Sequence, residues 1–113
     1  MTDARWRAEI ELVGENFSDF TPFSTKSGFV GFLGVLRGGR RCYQVVVKVP
    51  ASRYPAEEPK TYMEPKPEYH HWIRASEDPY LCYERNKVWN GAKNSFANCI
   101  LIARKYIHAF DPY

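Results

Sequence analysis

His70, His71 and Cys82 fall inside one stretch, HHWIRASEDPYLCYERNKVW at residues 70–89, together with Trp72 and Trp89. A cysteine thiolate is a strong nucleophile, and an ordinary thiol pKa of about 8.5 leaves an accessible ionised fraction near neutrality. Cys82 is therefore the candidate to carry an acyl group as a thioester. A zinc site built from His70, His71 and Cys82 is disfavoured: adjacent histidines do not easily turn both rings to one metal, and a fourth ligand is not evident. No metal and no other cofactor is expected. Cysteine is also among the most buried residue types. Packing is the reading for Cys42, on a strand, and Cys99, near the apolar stripe of a helix.

The chain that must position these residues has 113 amino acids, 44% of them hydrophobic and 26% charged, which is ordinary for a water-soluble domain. One domain spanning 1–113 is expected from that length. No apolar run is long enough for a membrane span, and the opening MTDARWRAEIE is too polar for a secretory signal, so the cytoplasm is the expected compartment. Three cysteines without a CxxC pair argue against a disulfide framework. The net charge is only +3, and the basic residues are scattered apart from RGGRR at 37–41, which reads as a solvated turn. Neither nucleic acid nor a membrane is an expected partner. Aromatics reach 16%, enough for some to line a surface groove as well as complete a core.

Thr2 or Asp3 offers a helix cap, and Trp6, Ile10 and Val13 then recur at helical spacing, with Gly14 as the expected stop. The segment AEIELV within it also alternates like a strand. Two β-rich runs flank Gly38 and Gly39, a pair suited to the positive φ angles of a tight hairpin. In the second run Tyr43, Val45, Val47 and Val49 alternate with more polar neighbours, which predicts a strand with one buried face. Pro50, Pro55, Pro59, Pro65 and Pro67 restrict the next region to one short strand near KTYME, with ordered loop around it. The clearest helix is NSFANCILIARKYIHAFDPY. Asn94 or Ser95 caps it, Phe96, Ile100, Ala103, Ile107 and Phe110 form its apolar stripe, and Pro112 ends it. The order predicts an α+β fold, an antiparallel sheet of three to four strands covered on one face by an N-terminal and a long C-terminal helix.

Three features stand in fixed order: YPAEEP at 54–59 after a strand, His71 eleven positions before Cys82, and Trp89 seven positions after it. Together they resemble the ubiquitin-conjugating enzyme (UBC) fold. In that family a Tyr-Pro-x-x-Pro-Pro turn precedes a His-Pro-Asn tripeptide, the catalytic cysteine, a tryptophan and a helix. Tyr54, Pro55 and Pro59 match the turn, with Glu58 at the penultimate proline. His71, Trp72 and Ile73 occupy the tripeptide slot, and the two last helices of eukaryotic members are not expected in so short a chain. The combination is similar to the bacterial branch of the family, the short stand-alone form found in antiphage operons of the cyclic-oligonucleotide-based signalling type (CBASS).

That resemblance implies a conjugating-enzyme-like transferase. Its Cys82 would form a thioester with the C-terminus of a ubiquitin-like protein or of a cGAS-like nucleotidyltransferase, with a separate activating enzyme as a further partner. His71 would brace the loop, Asp78 and Pro79 would turn the chain, and Leu81 would anchor it inward. The acidic flank of Asp78 and Glu84 does not favour a thiolate, so no strongly depressed pKa is expected at Cys82. Ile73 cannot supply the oxyanion donor credited to the family's asparagine. Backbone amides or another donor would replace it, or thiol exchange would be favoured over lysine aminolysis. Trp89 is read as a packing anchor and His70 as a poor general base. The alternative is a non-catalytic UBC-like module that docks a partner through its aromatic surface.

Overall fold

The computed structural model describes residues 1–65, 72–73, 80–81 and 89–112. It begins with helix α1, Asp3–Asn16, capped by Thr2, whose Oγ1 accepts from the Arg5 backbone N–H. Glu9 and Val13 are its buried residues, and Trp6 and Ile10 lean half-buried on the core from the same face. That three-and-four spacing is helical, which decides against the strand reading of AEIELV. Gly14 does not end the helix. It stands in open space, where a glycine costs a helix only about 1 kcal/mol, and the chain leaves two residues later when the Phe17 N–H closes on the Val13 carbonyl.

Four strands follow, β1 (Thr21–Ser24), β2 (Phe29–Arg37), β3 (Cys42–Pro50) and β4 (Lys60–Glu64), paired antiparallel in that order. The sheet is an up-and-down meander. Tyr43, Val45, Val47 and Val49 of β3 are buried on one face as their alternation predicts, and KTYME forms β4. Cys42 belongs to the other face and is exposed, which corrects the expectation that it packs in the core. The strand period of two sends it outward because Tyr43 points in. Strand β1 carries no sequence signal of its own: it is four residues long, contains Pro22, and sits at the sheet edge where a missing N–H is tolerated.

The β2–β3 turn corrects a second expectation. Among the described residues only Gly28 has a positive φ, at 93°, in the β1–β2 turn. Gly38 is needed for a close approach instead: a Cβ there would lie 2.3 Å from Asp111 Oδ2. Asp111, just beyond the last helix, accepts from the Arg40 and Arg41 backbone N–H groups (2.9 and 3.2 Å) and from the Tyr43 hydroxyl (3.0 Å). Burial alone would raise its pKa, but the Tyr43 hydroxyl and the two N–H donors prevail and hold it below the ordinary carboxylate value. A depressed folded-state pKa gives stability that is present above the ordinary value and lost as pH falls through the lowered one. Asp111→Asn is therefore expected to be less stable than wild type at pH 7, with the gap closing below about pH 4. Thermal unfolding at pH 7, 4 and 3 checks this, and a gap that persists undiminished at pH 3 refutes it.

A two-residue ribbon, β5 (Trp72–Ile73) with β6 (Tyr80–Leu81), lies in the stretch expected to be loop. The chain ends in helix α2, Phe96–Phe110, capped at Ser95, whose N–H and hydroxyl both donate to Asn98 Oδ1. Phe96, Cys99, Ile100, Ala103 and Ile107 are buried against the sheet, while the Phe110 side chain lies outside what is described. Rings knit the layers together. Phe32 meets Phe96 edge-on at 5.1 Å and Trp6 at 5.2 Å, contacts worth about 1 kcal/mol each beyond their burial. The fold is α+β, a four-stranded antiparallel sheet with an N-terminal and a C-terminal helix.

Candidate active-site frame

Of the predicted site residues, His71, Asp78 and Cys82 lie outside the described residues, as does His70. Leu81 is described in its backbone only, as the second residue of β6. There it pairs with Trp72, and Ile73 pairs with Tyr80. The sequence neighbours of His71 and Cys82 are thus cross-strand partners. Ribbon strand β6 lies beside β4, the strand that enters this stretch.

The return of the chain toward α2 is held by a buried cluster. Tyr54, 2% exposed, packs its ring on Phe96 at 4.7 Å and against Trp89 at 6.2 Å. Trp89 Nε1 donates to the Pro55 carbonyl at 2.7 Å, so Trp89 is a half-buried anchor clamped on the Tyr54–Pro55 turn. Gly91 passes so close beneath that turn that a Cβ would meet the Pro55 carbonyl oxygen at 2.3 Å. Two further donors come from α1: Arg5 Nη1 reaches the Gly91 carbonyl at 2.7 Å and Nη2 the Asn94 carbonyl at 2.8 Å. The planar guanidinium makes such a multiple clamp possible where a lysine would not.

Glu9, also 2% exposed, organises this cluster. Its Oε2 accepts from Arg5 Nε at 3.0 Å and from the Tyr54 hydroxyl, and its Oε1 accepts from the Phe96 backbone N–H at 3.1 Å. A carboxylate from α1 thereby satisfies one of the open N–H groups at the start of α2, where negative charge is favoured. Burial and the adjacent Glu9 raise the Tyr54 pKa, so the phenol stays protonated and donates. Burial works against the Arg5 charge, but its hydrogen bonds to Tyr54 and Glu9 outweigh that and raise its pKa. Glu58, the departure from the Tyr-Pro-x-x-Pro-Pro pattern, is half-buried, and desolvation raises its pKa.

Sequence reading had singled out Tyr54, Pro55 and Trp89 and missed Arg5 and Glu9. Arg5 and Glu9 stand four apart on α1 and so resemble an ordinary surface ion pair. Their burial comes only from the turn and the second helix closing over them. Among the described residues no group of His, Cys, Asp or Glu side chains is arranged to hold a metal, and no described helix is long and apolar enough to cross a membrane. No protein-family model, curated protein or solved structure matches the chain.

Proposed function

We propose that the protein is a UBC-like acyl transferase that forms a thioester through Cys82, acting cytoplasmically in bacterial antiphage defence. Its acyl donor is the activated C-terminus of a ubiquitin-like protein or of a cGAS-like nucleotidyltransferase, delivered as a thioester by a separate activating enzyme. The observation that carries the reading is the Trp72–Leu81 pairing, because it makes the chain neighbours of His71 and Cys82 cross-strand partners. The helix, four-strand meander and helix, with Trp89 clamped on the Tyr54–Pro55 turn, support it further.

In this mechanism the Cys82 thiolate attacks the carbonyl carbon of the donor thioester. A new S–C bond forms, the donor's C–S bond breaks, and the donor thiolate leaves and takes a proton from solvent. An acceptor amine then attacks the Cys82 thioester and loses its proton to solvent, and the Cys82 thiolate departs. An acceptor thiol reacts likewise. Ile73 offers no side-chain donor to the oxyanion that forms in either second step, so backbone amides or another donor replace it, or thiol exchange, with its stronger nucleophile, is favoured over lysine aminolysis.

The test is a non-reducing gel with intact-mass analysis of the protein incubated with a donor already charged on its activating enzyme. Wild type is expected to show an adduct that a reducing agent removes, Cys82→Ala none, and Cys82→Ser an ester that resists reduction. An adduct that survives in Cys82→Ala refutes the assignment. A native Cys82 inert both to the donor and to a small alkylating reagent assigns the protein to docking instead.

A further inference from the structure

Helices α1 and α2 run the same way along each other. Arg5 near the start of α1 meets the Gly91 and Asn94 carbonyls just before α2, and the Phe17 ring just after α1 lies under Arg104 of α2. Their seam is a groove of ≈540 Å³. Ala8 and Leu12 line it from α1, and Ala97 and Leu101 from α2, each pair one turn apart on a single helix face. Leu12 is 40% exposed and stands off the stripe of Trp6, Glu9, Ile10 and Val13 that α1 turns to the core.

The polar part of the lining is rich in donors. Arg5 and the exposed Lys93 stand at one end of the groove and Arg104 at the other. Glu9, the one carboxylate among the described residues of the lining, is 2% exposed and already accepts from Arg5, Tyr54 and the Phe96 N–H. Asn94 Oδ1 accepts from the Asn90 N–H at 2.9 Å, and Asn98 Oδ1 from the Ser95 N–H at 2.8 Å. Each bond uses the oxygen of its amide and leaves the NH₂ over, and neither NH₂ meets an acceptor among the described residues.

We propose that the α1–α2 groove binds an acidic amphipathic helix of a partner protein. Apolar side chains one turn apart on both walls match the spacing of anchors on a third helix laid along the seam. The seam from Arg5 to Asn16 is about 16 Å long, enough for three turns of such a helix. Leucines on its inner face would pack on Leu12 and Leu101. The charge of the helix follows from the lining: Lys93, the Asn94 and Asn98 amides and Arg104 all offer donors, and the Glu9 carboxylate is already spent, so glutamate or aspartate is favoured at both ends. A second copy of the chain would bring the same cations to the seam. The site does not depend on Cys82 or on any transferase activity.

The probe is a fluorescein-labelled, alanine-based peptide of about sixteen residues, with two leucines four apart and glutamates in the turns on either side. Fluorescence anisotropy at low salt is expected to show it binding the full chain, with a gain of helical circular dichroism on mixing. The same peptide with proline between the leucines is expected to bind roughly tenfold more weakly, because proline breaks the helix. Lys93→Glu, at an exposed position, is expected to weaken the glutamate peptide roughly tenfold and to favour a lysine-for-glutamate peptide. Leu12→Gln, an independent change on α1, is expected to weaken both peptides. Absence of binding, equal binding of the proline peptide, indifference to Lys93→Glu and Leu12→Gln, or a concentration-dependent dimer in sedimentation that Leu12→Gln abolishes would each overturn the proposal.

Discussion

Glu9→Leu is expected to destabilise the fold by about 3 kcal/mol, because it leaves a part-buried guanidinium, a buried phenol and a helix N-terminus without their shared acceptor. Against a total stability of about 5–15 kcal/mol this is a large fraction, and the melting midpoint should fall by roughly 12 °C. Leucine has nearly the right volume, so the loss measures polar satisfaction and not a cavity. Glu9→Gln should cost about half as much. All three partners donate toward the carboxylate, and one face of the amide would present them with a donor of its own.

A double-mutant cycle sharpens this. Tyr54→Phe removes the phenol that Glu9→Leu strands, so the pair should cost less than the sum of the single changes by about 1 kcal/mol. Urea unfolding of the four proteins measures it. A Glu9→Leu loss below about 1 kcal/mol would mean that water replaces the carboxylate and that the clamp is not a structural keystone.

The second large effect is expected at Gly31, in the middle of β2. A Cβ there would sit 2.0 Å from the Val47 carbonyl oxygen and 2.9 Å from Lys48 Cα. Both atoms are backbone of β3, which is held on its far side by β4 and cannot retreat. Gly31→Ala should therefore cost about 3 kcal/mol through strain in the ladder, the upper end of what overpacking does. Gly14→Ala is the matched control: nothing lies within 4 Å of its new methyl, and alanine favours a helix by about 1 kcal/mol over glycine, so this variant should be the more stable one. Chemical denaturation of both variants separates local strain from composition. A Gly31→Ala protein as stable as wild type would show that β2 and β3 can slide apart at low cost.

The same two sites mark how far the chain can be read without its fold. Period-two burial in β3 and the apolar stripe of α2 were legible, because alternation and helical recurrence are local patterns imposed by burying one face. The caps at Thr2 and Ser95 were legible for a similar reason, since capping uses neighbours along the chain. The Tyr54–Pro55 turn and Trp89 were singled out from their order along the chain, and the fold brings them into contact.

Local patterns say nothing about partners that arrive from far along the chain. Glu9 looks like a surface acid until Tyr54 and Phe96, 45 and 87 residues away, close on it. Asp111 looks like a helix terminus until the β2–β3 turn, some 70 residues earlier, wraps its carboxylate. Gly38 shows the same limit: Gly-Gly announces a turn, but proximity to Asp111 is what demands a glycine there. Cys42 was expected inside and stands outside, because a side chain's face is set by strand register. What the sequence alone determined was the kind of elements and which of their faces are apolar. The tertiary structure decided which polar groups those elements bury together, because that depends on long-range closure, which no local spacing encodes.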